Sequence, residues 1–114
     1  MTIEEIVIRY LTGKEIAGGH VYAEVPEAPP ASYVLIQRSS GSISNQIRQL
    51  GLYTESRSRR RKLEAAQLQE EVIAAMRIIR DFTRLFRCDL NAEYDAAQTQ
   101  TKEYRNQALW EITM

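Results

Sequence analysis

Phe86-Arg87-Cys88-Asp89-Leu90-Asn91-Ala92-Glu93-Tyr94 alternates apolar and polar side chains, and in Tyr104-Arg105-Asn106-Gln107-Ala108-Leu109-Trp110-Glu111-Ile112 the apolar residues Tyr104, Ala108, Trp110 and Ile112 again share one parity. A period of two is the signature of half-buried strands. The stretch between them, Asp95-Ala96-Ala97-Gln98-Thr99-Gln100-Thr101, is short, polar and free of proline, so the pair reads as a C-terminal antiparallel hairpin. Trp110 lies on the apolar parity and is expected beneath a helix.

That helix is supplied by the segment just before. Ala65, Leu68, Val72, Ala75, Met76 and Ile79 recur at helical spacing, while Gln69, Glu70, Arg77 and Arg80 fall on the opposite side. The pattern predicts a helix over about 59–81. A second is predicted over about 2–12, where Ile3, Ile6, Val7, Tyr10 and Leu11 form a stripe and Thr2 with Glu5 has the spacing of a capping box.

Between the helices, Val21, Ala23 and Val25 alternate with Tyr22 and Glu24 before a loop containing Pro26, Pro29 and Pro30. Tyr33-Val34-Leu35-Ile36-Gln37 is apolar almost throughout, as a central strand covered on both faces, or one with a face buried by a partner chain, would be. Ser39-Ser40-Gly41-Ser42 reads as a flexible turn, and residues 39–49 are expected to be mobile in an isolated subunit. The apolar parity then switches between Ile43/Ile47 and Leu50/Leu52, which demands a bulge or break before a strand at about 49–55. The order α-β-β-β-α-β-β describes one α+β domain over residues 1–114. It is a mainly antiparallel sheet of four or five strands with both helices on one face.

Composition narrows the function. Fifteen basic and fifteen acidic side chains give zero formal charge, which removes the overall field of a dedicated nucleic-acid binder. One cysteine, Cys88, permits no internal disulfide and sits on an apolar parity, so a buried thiol in a reducing compartment is expected. The N-terminus has no signal-peptide pattern and no apolar run approaches the ~20 residues of a membrane span, so a soluble chain is expected.

No catalytic or cofactor motif emerges. His20 is the only histidine and has no companion ligands. Gly18-Gly19 and Gly41 lack the spacing of a nucleotide or phosphate loop. Two charged features remain. Arg57-Ser58-Arg59-Arg60-Arg61-Lys62 places five cations in six residues at the start of a helix, against its dipole. Arg57, Arg59, Arg60 and Lys62 are candidate contacts, either through salt bridges within the chain or to a partner, or through phosphate backbone in a small nucleic-acid-binding domain; the salt-bridge reading is preferred. Asp89, Glu93 and Asp95 share the polar parity of one strand. They are candidate partner contacts and the acidic counterpart of the basic cluster, and a metal-dependent hydrolase using that row is a third alternative.

The segments Val21-Tyr22-Ala23-Glu24-Val25-Pro26, Pro30-Ala31-Ser32-Tyr33-Val34-Leu35-Ile36-Gln37-Arg38, Leu63-Glu64-Ala65-Ala66 and Tyr104-Arg105-Asn106-Gln107-Ala108-Leu109-Trp110-Glu111-Ile112 together resemble the tail-completion or tail-terminator proteins of long-tailed bacteriophages and prophages, which join tail to head. The resemblance spans nearly the whole chain and rests on packing patterns. It departs from the family at Arg59-Arg60-Arg61-Lys62, where a Ser-rich strand end is usual. It implies a structural virion protein that is not an enzyme and needs no cofactor or metal. Such a subunit is monomeric or oligomeric alone, and assembles as a homo-oligomeric, hexameric ring that caps the tail tube. The implied partners are the tail tube protein and a head connector or stopper, with DNA only passing through the ring and no membrane. The implied location is the tail-head junction of the virion, with assembly in the host cytoplasm.

Overall fold

The computed structural model describes residues 2–44, 47–83, 87–95 and 103–113. Helix α1 (Ile3–Gly13) opens with the predicted capping box: Thr2 Oγ1 accepts from the Glu5 backbone N–H at 3.2 Å, and the Glu5 carboxylate reaches back to the Thr2 N–H. Helix α2 (Lys62–Arg77) starts later than the periodicity suggested, because Arg61 is extended at φ −149°, ψ 145°. The physical reason is visible in the charges. Arg59, Arg60 and Arg61 stay out of the helix, where they would oppose its positive end, and Glu64 occupies the first turn. A short 3₁₀ turn, Ile79–Asp81, follows α2.

The strands are β1 (Val21–Tyr22), β2 (Ser32–Ser44), β3 (Ile47–Ser58), β4 (Arg87–Asp95) and β5 (Tyr104–Thr113), arranged in one sheet as β1-β2-β3-β5-β4. All pairings are antiparallel except β1 with β2, which is parallel through Val21↔Val34 and Tyr22↔Leu35. The α+β class and the predominantly antiparallel sheet are as expected. The run at 21–25 shortens to two strand residues.

Ser39-Ser40-Gly41-Ser42 is strand and not a turn. β2 absorbs Ser39 as a bulge between Arg38 and Ser40 and continues to Ser44, while β3 pairs in unbroken register from Ile47, so the bulge or break expected between Ile43 and Leu52 is not found among the described residues. A Cβ on Gly41 would lie 2.9 Å from Cδ2 of the paired Leu50, so a larger residue here would make that side chain shift. The expected mobile segment therefore includes paired strand at 39–44 and 47–49; residues 45 and 46 lie outside the described residues, as does the expected turn at 96–101.

Both helices cover the same face. Val34, Ile36, Leu50, Leu52, Ala108, Trp110 and Ile112 from the sheet join Ile3, Val7, Leu11, Leu68, Val72 and Met76 from the helices in one buried cluster. The Tyr10 hydroxyl ties the helices together by donating to the Ala75 carbonyl at 2.5 Å. Polar groups of β3 on this face are each used: Thr54 accepts from the Trp110 indole at 3.0 Å, Ser56 donates to Gln69 at 3.2 Å and Ser58 to Glu64 at 3.1 Å.

Candidate assembly surface

Alternation along β3 decides where the cationic cluster goes. Thr54, Ser56 and Ser58 face the helices, so Glu55 and Arg57 emerge on the other face of the sheet. Arg57 is consequently not part of an exposed patch. It is only 8% exposed, donates through Nε to Glu55 Oε1 at 2.5 Å, and reaches the Tyr33 hydroxyl and Glu103 through Nη1 at 3.2 and 3.3 Å. The Tyr33 hydroxyl donates to Glu103 at 3.0 Å, and Gln107 donates to the other Glu55 oxygen at 2.9 Å. Arg105 completes the group at 3.6 Å from Glu55 and 3.9 Å from Glu103.

Burial disfavours the charge on Arg57, yet its bonds to Tyr33 and Glu55 outweigh that and raise its pKa. Burial also pushes the Tyr33 phenol up. Two carboxylates and two guanidiniums thus neutralise one another on a face that carries no helix. The sequence reading missed Tyr33, Glu55, Glu103, Arg105 and Gln107. Their signal was the parity they share with Arg57 once β3 and β5 are paired.

Arg59, Arg60 and Lys62 occupy the exposed corner between β3 and α2 and are engaged within the chain. Arg59 Nη2 donates to the Pro29 and Pro30 carbonyls. Arg60 pairs with Glu64 at 3.0 Å, and Lys62 lies 3.8 Å from Asp95. Burial opposes ionisation of Glu64, but hydrogen bonds from Arg60 and Ser58 prevail and hold its carboxyl below the ordinary carboxylate range. The intrachain salt bridges considered for the cluster are therefore present.

The acidic row does not share one face. β4 carries a bulge between Leu90 and Ala92, so Asp89 pairs with Glu111 on the bare face while Glu93 and Asp95 pair with Ala108 and Asn106 on the helix side. The inserted residue flips the parity, which places Asp95 near Lys62 and isolates Asp89 with Arg87 at 2.5 Å. Asp89 borders a cavity of about 370 Å³ on the bare face, lined among others by Ser39, Gln49, Arg87, Asn91 and Glu111.

The remaining chemistry is sparse. His20 Nδ1 lies 2.9 Å from the Tyr22 hydroxyl. Burial, followed by the Asp89 charge, pushes the Cys88 thiol up to about 12. Among the described residues no group of three or more His, Cys, Asp or Glu side chains is placed to hold a metal ion. No helix there is long and apolar enough to cross a membrane.

No protein-family model matches the chain, and no curated protein matches it. Among solved structures, a chain of the virion of a native gene transfer agent particle is similar at 12% identity and a TM-score of 0.70. The match covers 97% of this chain and 92% of that one. At this identity the likeness establishes a shared fold across nearly the full length of both chains.

Proposed function

We propose that this chain is a structural component of a phage-like virion, which caps the tail tube and joins it to the head connector as a closed homo-oligomeric ring of six copies. The observation that carries the reading is the near full-length fold shared with a chain of a gene transfer agent virion. The sequence resemblance to tail-completion proteins supports the same station. A cyclic ring requires each subunit to present two different, complementary surfaces. Here Arg59, Arg60 and Lys62 cluster at one end of the sheet, while Asp89 borders the cavity near the other; all four residues are exposed and are offered as partner contacts. Glu93 and Asp95 lie on the helix side of β4, Asp95 3.8 Å from Lys62, and are offered as further partner contacts.

Adding the purified chain to polymerising tail tubes tests the role. The expected result is arrest of growth at a fixed length with extra density at one end; unaltered growth without bound protein would contradict it. The alternative is phosphate binding by the exposed Arg59 to Lys62 corner. A salt-sensitive DNA titration that weakens after Arg59→Glu/Arg60→Glu, with tube capping intact, would favour that alternative.

A further inference from the structure

Both flanks of the sheet are open. β1 pairs only with Val34 and Leu35, so β2 runs on through residues 36–44 with no strand beside its outer edge among the described residues. β4 is the last strand on the other flank. A backbone edge of this length is a template for a further strand.

The two edges differ in chemistry and match in geometry. β4 presents Asp89, Glu93 and Asp95 against a single cation, Arg87, so a second β4 would bring acids against acids. Residues 37–42 of β2 contain small serines, a glycine and no acid, and their one cation, Arg38, pairs with Glu4 of α1 at 2.8 Å. Because β4 is antiparallel to β5, β5 to β3 and β3 to β2, the two edge strands run in opposite directions. Rotation about an axis along the strands preserves direction, so β2 of a rotated copy meets β4 antiparallel. Both strands also carry their bulge beside the same row, Arg38–Leu52–Trp110–Leu90, so the two edges bend at one level.

We propose that β4 of one copy adds to β2 of the next, residues 87–92 against residues 37–42, and that the joined sheets close around a channel lined by the bare face, with the helices outside. This rests on the ring reading above and supplies its interface. On the bare face Gln37, Gln49, Arg87, Asp89 and Glu111 are exposed and would meet the water of the channel, while the Glu55–Arg57 pair is buried together with Tyr33 and Leu35. Six copies of the four long strands, at about 4.8 Å per strand, give a wall about 115 Å around and a channel about 37 Å across between backbones.

The test uses two single-cysteine chains in a Cys88→Ser background, Ser39→Cys on β2 and Asn91→Cys on β4, with oxidative cross-linking. The expected result is a dimer band from the mixture and none from either chain alone. Amides 87–92 should gain at least about tenfold protection from hydrogen exchange in the assembled fraction. Rings formed by the wild-type chain that show neither the mixed cross-link nor this protection would overturn the edge pairing and leave the ring intact. A cross-link from one variant alone would mean two-fold packing and overturn it too. If no closed assembly forms even in the presence of tail tubes and no cross-link appears, the ring reading falls, and this inference with it.

Discussion

The Trp110 indole N–H donates to Thr54 Oγ1 at 3.0 Å, a diagonal contact between β5 and β3 in the part of the sheet that α2 covers. The side chain with the largest fully buried volume thus has its one polar atom satisfied. Trp110→Ala should cost ~3–5 kcal/mol, enough to unfold a marginal domain. Trp110→Phe should cost less and leave a cooperative transition. Thermal unfolding of the two variants checks this; an unchanged melting temperature for the alanine variant would show that the site is not core.

Arg57 and Glu55 should behave as a buried pair. Removing one partner, as in Arg57→Met, leaves the buried Glu55 with only Gln107 and the more distant Arg105 and is expected to cost about 3 kcal/mol, at the low end for a broken buried pair. Replacing both by apolar residues should recover most of that loss, within about 1–2 kcal/mol of the parent. Urea titration of a double-mutant cycle reads the coupling, and additive losses would count against a shared network.

Glu64 sets a pH dependence. Its carboxyl pKa is lowered in the fold, so its bonds to Arg60 and Ser58 stabilise at neutral pH and the gain is lost as pH falls from the ordinary carboxylate range through the lower folded value. Glu64→Gln should cost a few tenths of a kcal/mol near pH 7, since Arg60 is mostly exposed, and its difference from the parent should vanish in acid. A difference that grows on acidification would reverse the assignment.

Cys88 should be slow to react. It is half-buried and its pKa is pushed up to about 12, so alkylation of the folded chain should be much slower than after unfolding. Reaction of the folded chain at the rate of a model thiol would refute the burial.

How much of this was legible in the sequence depends on periodicity. The apolar stripes of α1 and α2, the capping box, and the alternation at Cys88, Leu90, Trp110 and Ile112 are local patterns and were readable; the parity switch before Leu50 marks no bulge in β3, which pairs in unbroken register. Arg57 was misplaced because adjacency to Arg59 and Arg60 says nothing about which sheet face a residue takes; that is fixed by pairing with Tyr33 and Arg105. Asp89, Glu93 and Asp95 looked like one row because a one-residue bulge leaves no mark in composition, yet it turns every later side chain over. The serines at 39, 40 and 42 suggested a turn because small polar residues are common there, whereas pairing with Gln49, Leu50 and Gly51 holds this segment as strand.

The particle mass of the purified full chain, measured by native mass spectrometry across a concentration series, tests the central claim most directly. The account predicts a closed species at six chain masses, with intermediates only sparsely populated because a ring gains its last interface on closure. A monomer that persists at all concentrations and in the presence of tail tubes, or an open-ended ladder of sizes, would contradict it.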